Sequence, residues 1–319
     1  MDVGGVRMKA SLLRIEGGLS LVNARRIGNY YLWRREYVPA TTLRGALINS
    51  LIEAGSIKEL GEAASMAVAP AYPTSSAPAH VLLPAKGRKT EDFVEKKGVL
   101  SSSEDPVSSL DRKYGSQATP RVGTLVTLRG EEGDEWKFER FRPRRATVEQ
   151  NVSVSKVSGA AHREMLFAYE LRDLGPLWAL YLGDLEVDGL EVRLGRGRNR
   201  VGTRFRVEAT STVEYPEPGE GSLAYCLSPC VPSFLGKTYF EGEYYGAVDL
   251  YSSWFTFGQD VDTPLLGGTR PSFKVLREGT LVRLRKLGEY RQLWPAGLNF
   301  LIRVDDLGSW LRKVGGEVK

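Results

Sequence analysis

Two cysteines and two histidines among 319 residues leave little material for metal or redox chemistry. Cys226 and Cys230 are separated by a short stretch containing Pro229, and no second Cys or His cluster stands by to complete a zinc site. No metal and no cofactor are therefore expected, and so few thiols fit a reducing compartment. The opening MDVGGVRMKASLLRIEGG has no apolar core of signal-peptide length, because Arg7, Lys9 and Arg14 interrupt it. The longest uncharged stretch, Met66 to Ala85, contains Pro70, Pro73, Pro78 and Pro84, which would leave backbone groups unpaired in a bilayer. A cytoplasmic chain without a membrane span is expected. The 42% hydrophobic and 26% charged fractions exclude a disordered, collagenous or coiled-coil chain. Its 35.3 kDa suits about two domains.

What the sequence has in excess is arginine: 30 Arg against 14 Lys, for a net charge of only +5. Their placement is uneven. Arg193 to Arg206 holds six arginines and no acid, whereas Val207 to Leu265 holds nine acids and one lysine. Guanidinium groups favour bidentate phosphate contacts and stacking on bases, so such a run points to a nucleic-acid surface. Composition alone leaves open the ion-paired surface of a heat-adapted protein.

Apolar spacing predicts a first strand over Arg7 to Ile15. A helix follows Pro39, with Thr41 or Thr42 as its cap, the Leu43, Leu47, Leu51 stripe as its buried face, and Gly55 as its end. From about 68 to 119 the chain is rich in Pro, Ser, Ala and Lys with little periodicity, which reads as a long functional or partly disordered insertion. Strands are expected at Thr124 to Leu128, Trp136 to Phe141, Met165 to Leu171, Leu177 to Leu185 and Val201 to Ala209. In the last, Val201, Thr203, Phe205, Val207 and Ala209 share one face. The Tyr215-Pro216-Glu217-Pro218-Gly219 corner suggests a boundary between a domain at 1–214 and a second, smaller one at 220–319. That second part is expected to carry strands around Leu223 to Val231, Tyr244 to Phe257 and Leu281 to Leu287, and a helix at Asp305 to Val314. The order strand, helix, then many strands indicates the α+β class.

Two nucleotide motifs fail on inspection. Gly236-Lys237-Thr238 lacks the first glycine of a P-loop, and Gly195-x-Gly197 runs into an alternating strand where a dinucleotide fingerprint needs a helix. The segment from Leu194 to Arg204 is different. Gly195, Gly197 and Gly202 allow close backbone approach to phosphate, and Arg196, Arg198, Arg200 and Arg204, with Asn199 and Thr203, supply donors along a tracked strand. Arg142, Arg144 and Arg145 form a second basic run. His162 beside Arg163 is a candidate RNA contact, or a general base for 2′-hydroxyl attack, or an ordinary loop histidine. His80, among prolines, reads as unremarkable surface.

The glycine-arginine segment before an alternating strand resembles the glycine-rich loop of the RAMP superfamily of CRISPR-associated proteins. Tyr37-Val38-Pro39-Ala40-Thr41-Thr42-Leu43-Arg44-Gly45-Ala46-Leu47 is similar to the signature that opens the first helix of that family's ferredoxin-like domain, with Ala40 where the family usually has glycine. Ser158 to Glu170 resembles the family's segment after its thumb-like hairpin. Ala69 to Pro73, the insertion and Phe273 to Arg283 look most like a two-domain subunit of type III complexes, Csm- or Cmr-like and of the type III-D kind.

The resemblance implies a ferredoxin-like, RRM-like RAMP domain with an insertion, followed by a smaller α+β RAMP-like domain. It implies a structural subunit that binds CRISPR RNA within a multi-subunit effector for antiviral defence, gripping the repeat-derived handle or capping the filament, with target RNA as a further partner. Arg44 and the Arg196 to Arg204 loop would then meet the RNA backbone, and Tyr30, Tyr31 and Trp33 could stack on bases or pack the core. Cleaving members carry an aspartate before the helix signature. Ile27 to Val38 offers only Glu36, so no catalytic residue is expected, with Glu36 and His162 the weak candidates and Asp105 and Asp111 further carboxylates. The alternatives are a metal-independent repeat endoribonuclease using His162 with Lys156 or Tyr169, a target-cleaving backbone subunit, or a scaffold whose acidic second half docks basic partners.

Overall fold

The computed structural model describes residues 8–317 apart from 23, 28, 88–89, 103–104, 116–117, 155–160, 196–203, 235 and 253–271. The chain is a strand-dominated α+β protein built on one antiparallel sheet. Its six strands are β1 (Lys9–Gly17), β4 (Ala67–Val68), β12 (Leu177–Leu182), β13 (Glu191–Arg193) and β14 (Arg204–Glu214), in the order β13-β14-β1-β12-β4, with β5 (Tyr72–Pro73) also paired to β12. With α1 (Ala40–Glu53) between β1 and β4, the order β14-β1-β12-β4 is that of a ferredoxin-like sheet. Between β12 and β13 there is no second helix, and Leu185, Val187 and Leu190 fill that place against the core.

Both faces of this sheet are covered. Leu13 and Ile15 of β1, with Ala179 of β12, pack on one side with Leu43, Leu47 and Leu51 of α1. Ala10, Leu12, Trp178 and Leu180 point into a second, larger cluster. That accounts for the uninterrupted apolar run of β12, all six residues of which are buried. The expected face of Phe205 and Val207 is buried opposite Gly17 and Ile15. The strand then continues further than its alternation suggests, because a bulge at Thr210 shifts register between Leu12 and Leu13. Odd-numbered residues thereby change sides, and Val213 opposite Ala10 enters the larger core.

Neither threonine caps α1. Pro39 is the capping residue, its carbonyl accepting from Thr42 and Leu43 at 3.0 Å, and no side chain completes the cap. Val38 is already pinned in extended form by reciprocal 2.9 Å bonds with Ala71, so the helix begins directly at the proline.

The 68–119 region is corrected from an excursion to part of the interior. It supplies β5 (Tyr72–Pro73), β6 (Ser76–Pro78), β7 (Asp92–Lys96) and α2 (Pro106–Tyr114), and Tyr72, Ala77, Leu83 and Phe93 are buried. The strands β6 and β7 form a sheet with β8 (Leu125–Glu132) and β9 (Glu135–Arg140) in the order β6-β8-β9-β7. His80 is likewise corrected: it is fully buried, because Glu95 of β7 provides a partner within the core. Leu82 N–H donates to His80 Nδ1 at 3.2 Å, which leaves Nε2 as the protonated nitrogen facing Glu95 Oε1 at 2.7 Å.

After the Pro216–Gly219 corner come β15 (Leu223–Cys226), the hairpin β16–β17 (Ser233–Phe234, Lys237–Thr238), β18 (Phe240–Tyr245), the hairpin β19–β20 (Val248–Ser252, Ser272–Leu276), β21 (Leu281–Leu287) and β22 (Leu301–Ile302). Four of them form a sheet ordered β18-β21-β15-β22, and the chain closes with α3 (Leu307–Glu317). No described sheet mixes strands from the two sides of the corner, yet the larger core joins them. Tyr72 donates to Leu227 O at 2.6 Å, Tyr225 to Pro78 O at 2.7 Å, and buried Tyr215 to Leu301 O at 2.8 Å. No described helix is long and apolar enough to cross a membrane.

Glu95 ties this assembly to α3, accepting from Leu307 N–H at 2.8 Å and Gly308 N–H at 2.9 Å at the helix start. Replacing Glu95→Ala orphans these two amides and His80 together. The expected loss is about 3 kcal/mol, read as a lower urea midpoint at unchanged slope; a midpoint within error of wild type would show that the carboxylate does not hold α3.

Candidate nucleic-acid interface

A sheet buried on both faces cannot present stacked aromatics in the manner of an RRM, so an RNA surface must be built from edges and loops. The edge richest in suitable groups is a second sheet, β10-β11-β3-β2, made of β2 (Ala24–Ile27), β3 (Tyr30–Trp33), β10 (Arg145–Val154) and β11 (Ala161–Asp173). β11 runs parallel to β3 over only two residue pairs, so most of the β10–β11 hairpin projects as a two-stranded ribbon. Along one face lies a half-exposed row, Tyr31 beside Tyr169 and Tyr169 beside Phe167, each pair of ring centroids 5.2 Å apart. The row borders the smaller core, which also holds Val192, Leu194, Leu21 and Val22.

Gly195, the residue before the arginine-rich segment, packs against Leu21 and Val22 of the same core. Its φ of +87° belongs to the left-handed region, and an added Cβ would sit 2.5 Å from Leu21 O. Only glycine lets the chain leave β13 so close to the strand leading into β2. The expected loop residues Arg196, Gly197, Arg198, Asn199, Arg200, Gly202 and Thr203 lie outside the described residues. Arg204 opens β14 as an exposed side chain 3.0 Å from Glu191, a pairing that costs little to break.

The other expected contacts fall in different places. Arg142 is exposed and reaches Glu91 at 3.3 Å, Arg144 leans over Gly175, and Arg145 opens β10 opposite Asp173. His162 and Arg163 belong to β11 with side chains outside the described set, and Lys156 lies outside the described residues altogether. Arg44 is engaged within the chain. Half-buried, it donates from Nε to Met66 O at 2.8 Å and from an Nη to Ala63 O at 2.8 Å, closing the carbonyl end of the short 3-10 turn at Leu60–Ala63. Among the three aromatics, Trp33 is buried and donates Nε1–H to Ser20 O at 3.2 Å, Tyr31 joins the row, and Tyr30 is exposed on the opposite face.

The candidate carboxylates are engaged. Glu36 accepts from Arg172 at 2.6 Å, and Asp105 caps α2 through Ser108 N–H at 2.9 Å, which holds its carboxyl below the ordinary range. Asp111 has its side chain outside the described set. Among the described residues no three His, Cys, Asp or Glu side chains gather to hold a metal ion.

Sequence reading missed the cluster just ahead of α1. Arg34 and Arg35 meet Asp249, Arg35 also meets Glu278, and Tyr37 donates its hydroxyl to Glu278. The double arginine before the helix signature was the available signal. Its partners lie more than 200 residues away, a separation no local pattern bridges.

Fold and site together define an α+β protein with a ferredoxin-like antiparallel central sheet and, on a second sheet, a half-exposed row of aromatic rings. Neither a protein-family model nor a curated protein matches the chain. Among solved structures it is similar to a chain in the cryo-EM structure of the type III-B Cmr-beta bound to cognate target RNA and AMPPnP, with 14% identity over 86% of each chain and a TM-score of 0.46. It is also similar to a chain of Cmr-beta bound to cognate target RNA, with 12% identity over 86% of each chain and a TM-score of 0.48. A chain of the apo state gives 10% identity over 62% of this chain and 96% of that one, with a TM-score of 0.34.

Two substitutions test the edge. Gly195→Ala forces a side chain against Leu21 O and is expected to cost about 1–3 kcal/mol in stability, measured by chemical denaturation. Tyr169→Ala together with Phe167→Ala is expected to weaken single-stranded RNA binding by about 1–3 kcal/mol per stacked base in a fluorescence titration. Unaltered affinity would remove the row from the interface.

Proposed function

We propose that this chain is a non-catalytic, CRISPR RNA-binding subunit of a type III effector ribonucleoprotein, working in the cytoplasm beside other effector subunits and gripping the repeat-derived handle or capping the filament. The observation that carries this reading is the Gly195 pivot, which packs against Leu21 immediately before the arginine-rich segment, taken with the half-exposed Tyr31-Tyr169-Phe167 row. Backbone phosphates would be neutralised by arginines, splayed bases would rest on rings, and sequence would be read by base pairing to target RNA. The helix signature from Tyr37 to Leu47 supports the same assignment.

The test is a salt series of binding to labelled single-stranded repeat RNA, with products resolved on a gel in EDTA and in magnesium. Intact RNA is expected in both, with log affinity falling at a slope of about −3 against log salt if roughly four phosphates are contacted. Arg198→Glu with Arg200→Glu should abolish binding at physiological salt. Retained affinity in that double variant overturns the proposal. Cutting in EDTA that disappears in His162→Ala would replace it with a metal-independent endoribonuclease, and cutting in magnesium alone would direct attention to Glu36.

A further inference from the structure

At the head of α1 lies a cavity of about 160 Å3 that the RNA reading does not use. Arg34 and Arg35 wall it on one side with Thr41 and Thr42 of the first helical turn, and β19 with Arg277 and Glu278 walls it on the other. Its lining is dominated by hydrogen-bond donors. Three guanidinium groups face two carboxylates, and the carboxylates are unequally held. Glu278 is 2% exposed and bound by both Arg35 and Tyr37. Asp249 is 27% exposed and receives Arg34 on both oxygens at 3.2 Å, together with Arg35.

Arg277 finds no carboxylate among the described residues. Its buried Nε has no acceptor, and an Nη reaches only Gly123 O at 3.5 Å. Burial and the like charge of Arg35 push this guanidinium below its ordinary pKa, against the opposing pull of Glu278 and Asp249. The α1 terminus behind it has neither a side-chain cap nor an acid in its first turn.

We propose that this cavity binds one phosphate group, and that Asp249 is the carboxylate the phosphate displaces. The volume is below the roughly 300 Å3 at which pockets for whole small molecules begin, so it admits a phosphate and excludes a base. Asp249 spans Arg34 and Arg35 as a bidentate oxyanion would. Its strand can yield: among the described residues β19 pairs only with β20, and its neighbours Val248 and Leu250 are 65% and 64% exposed. The phosphate is either a phosphodiester of bound RNA or a free phosphate monoester. The site uses none of the residues of the arginine-rich segment, so it stands or falls separately from the RNA reading.

Calorimetric titration of the full chain with inorganic phosphate, without RNA, is the test. Saturable binding is expected at up to about 10 mM ligand. Arg277→Gln should weaken it about tenfold, and Asp249→Asn, which removes the competing carboxylate, should strengthen it several-fold. The opposite signs keep the test informative should one variant fold poorly. No saturable heat, or an affinity that ignores both substitutions, overturns the proposal. The source follows from a second arm: if RNA supplies the phosphate, Arg277→Gln lowers the magnitude of its salt slope by about 0.7, and if a free monoester does, that slope is unchanged while phosphate binding is still weakened.

Discussion

Burial of the central sheet on both faces is the constraint from which the rest of this structure follows. One face belongs to α1 and the smaller core, the other to a larger core shared by the 68–119 region and everything after the Pro216–Gly219 corner. The central sheet therefore offers no exposed face to a ligand, and chemistry moves to the second sheet and to places where the chain leaves the central one. Two such exits carry the arginines: the turn after β13, opened by Gly195, and the connection that Val38 and Pro39 bend into α1. Val38 is fixed there by its reciprocal bonds with Ala71, and Gly195 by its close approach to Leu21.

The larger core is held by unusually long-range polar ties. Tyr72, Tyr215 and Tyr225 each reach a carbonyl on the other side of the corner, and burial pushes all three hydroxyls well above their ordinary pKa. These remain neutral donors across the physiological range. Trp136 adds a further tie, lying between Lys97 at 5.3 Å and Arg312 at 4.7 Å while Gly308 presses on its ring. The apolar burial and these ties act together on α3, which is why a single carboxylate, Glu95, touches so many elements.

How much of this was legible in sequence depends on the range of the interaction. β1, α1 and Leu281–Leu287 were readable because their periodicity reports their own burial. The 68–119 region was not, since β5 and β6 are two and three residues long and rich in proline, too short for any period to register. Its compactness comes from partners in β8, β12 and the second half of the chain. The bulge at Thr210 was hidden for a related reason: alternation continues in letters while its meaning reverses in space. Of the site, the Gly195 pivot was readable from residue type. The aromatic row was only half readable, because Tyr31 stood out but Tyr169 and Phe167 gained meaning through the parallel pairing of β11 with β3.

The charge pattern shows most clearly how the fold reuses the sequence. Read linearly, the acidic stretch from Val207 to Leu265 should repel phosphate and seek a basic partner. In three dimensions four of its nine acids are paired within the chain: Asp249 by Arg34 and Arg35, Glu243 by Arg285, Glu217 by Arg291 and Glu208 by Arg206. Most of these pairs are exposed and contribute little to stability, so their effect is on the field rather than on the fold. Arg204 at the start of β14 faces Glu191 with both side chains more than half exposed, so that pairing neutralises its charge only weakly. A backbone-tracking site would draw on such local charge, because local excess rather than total charge sets how many counterions a bound strand releases.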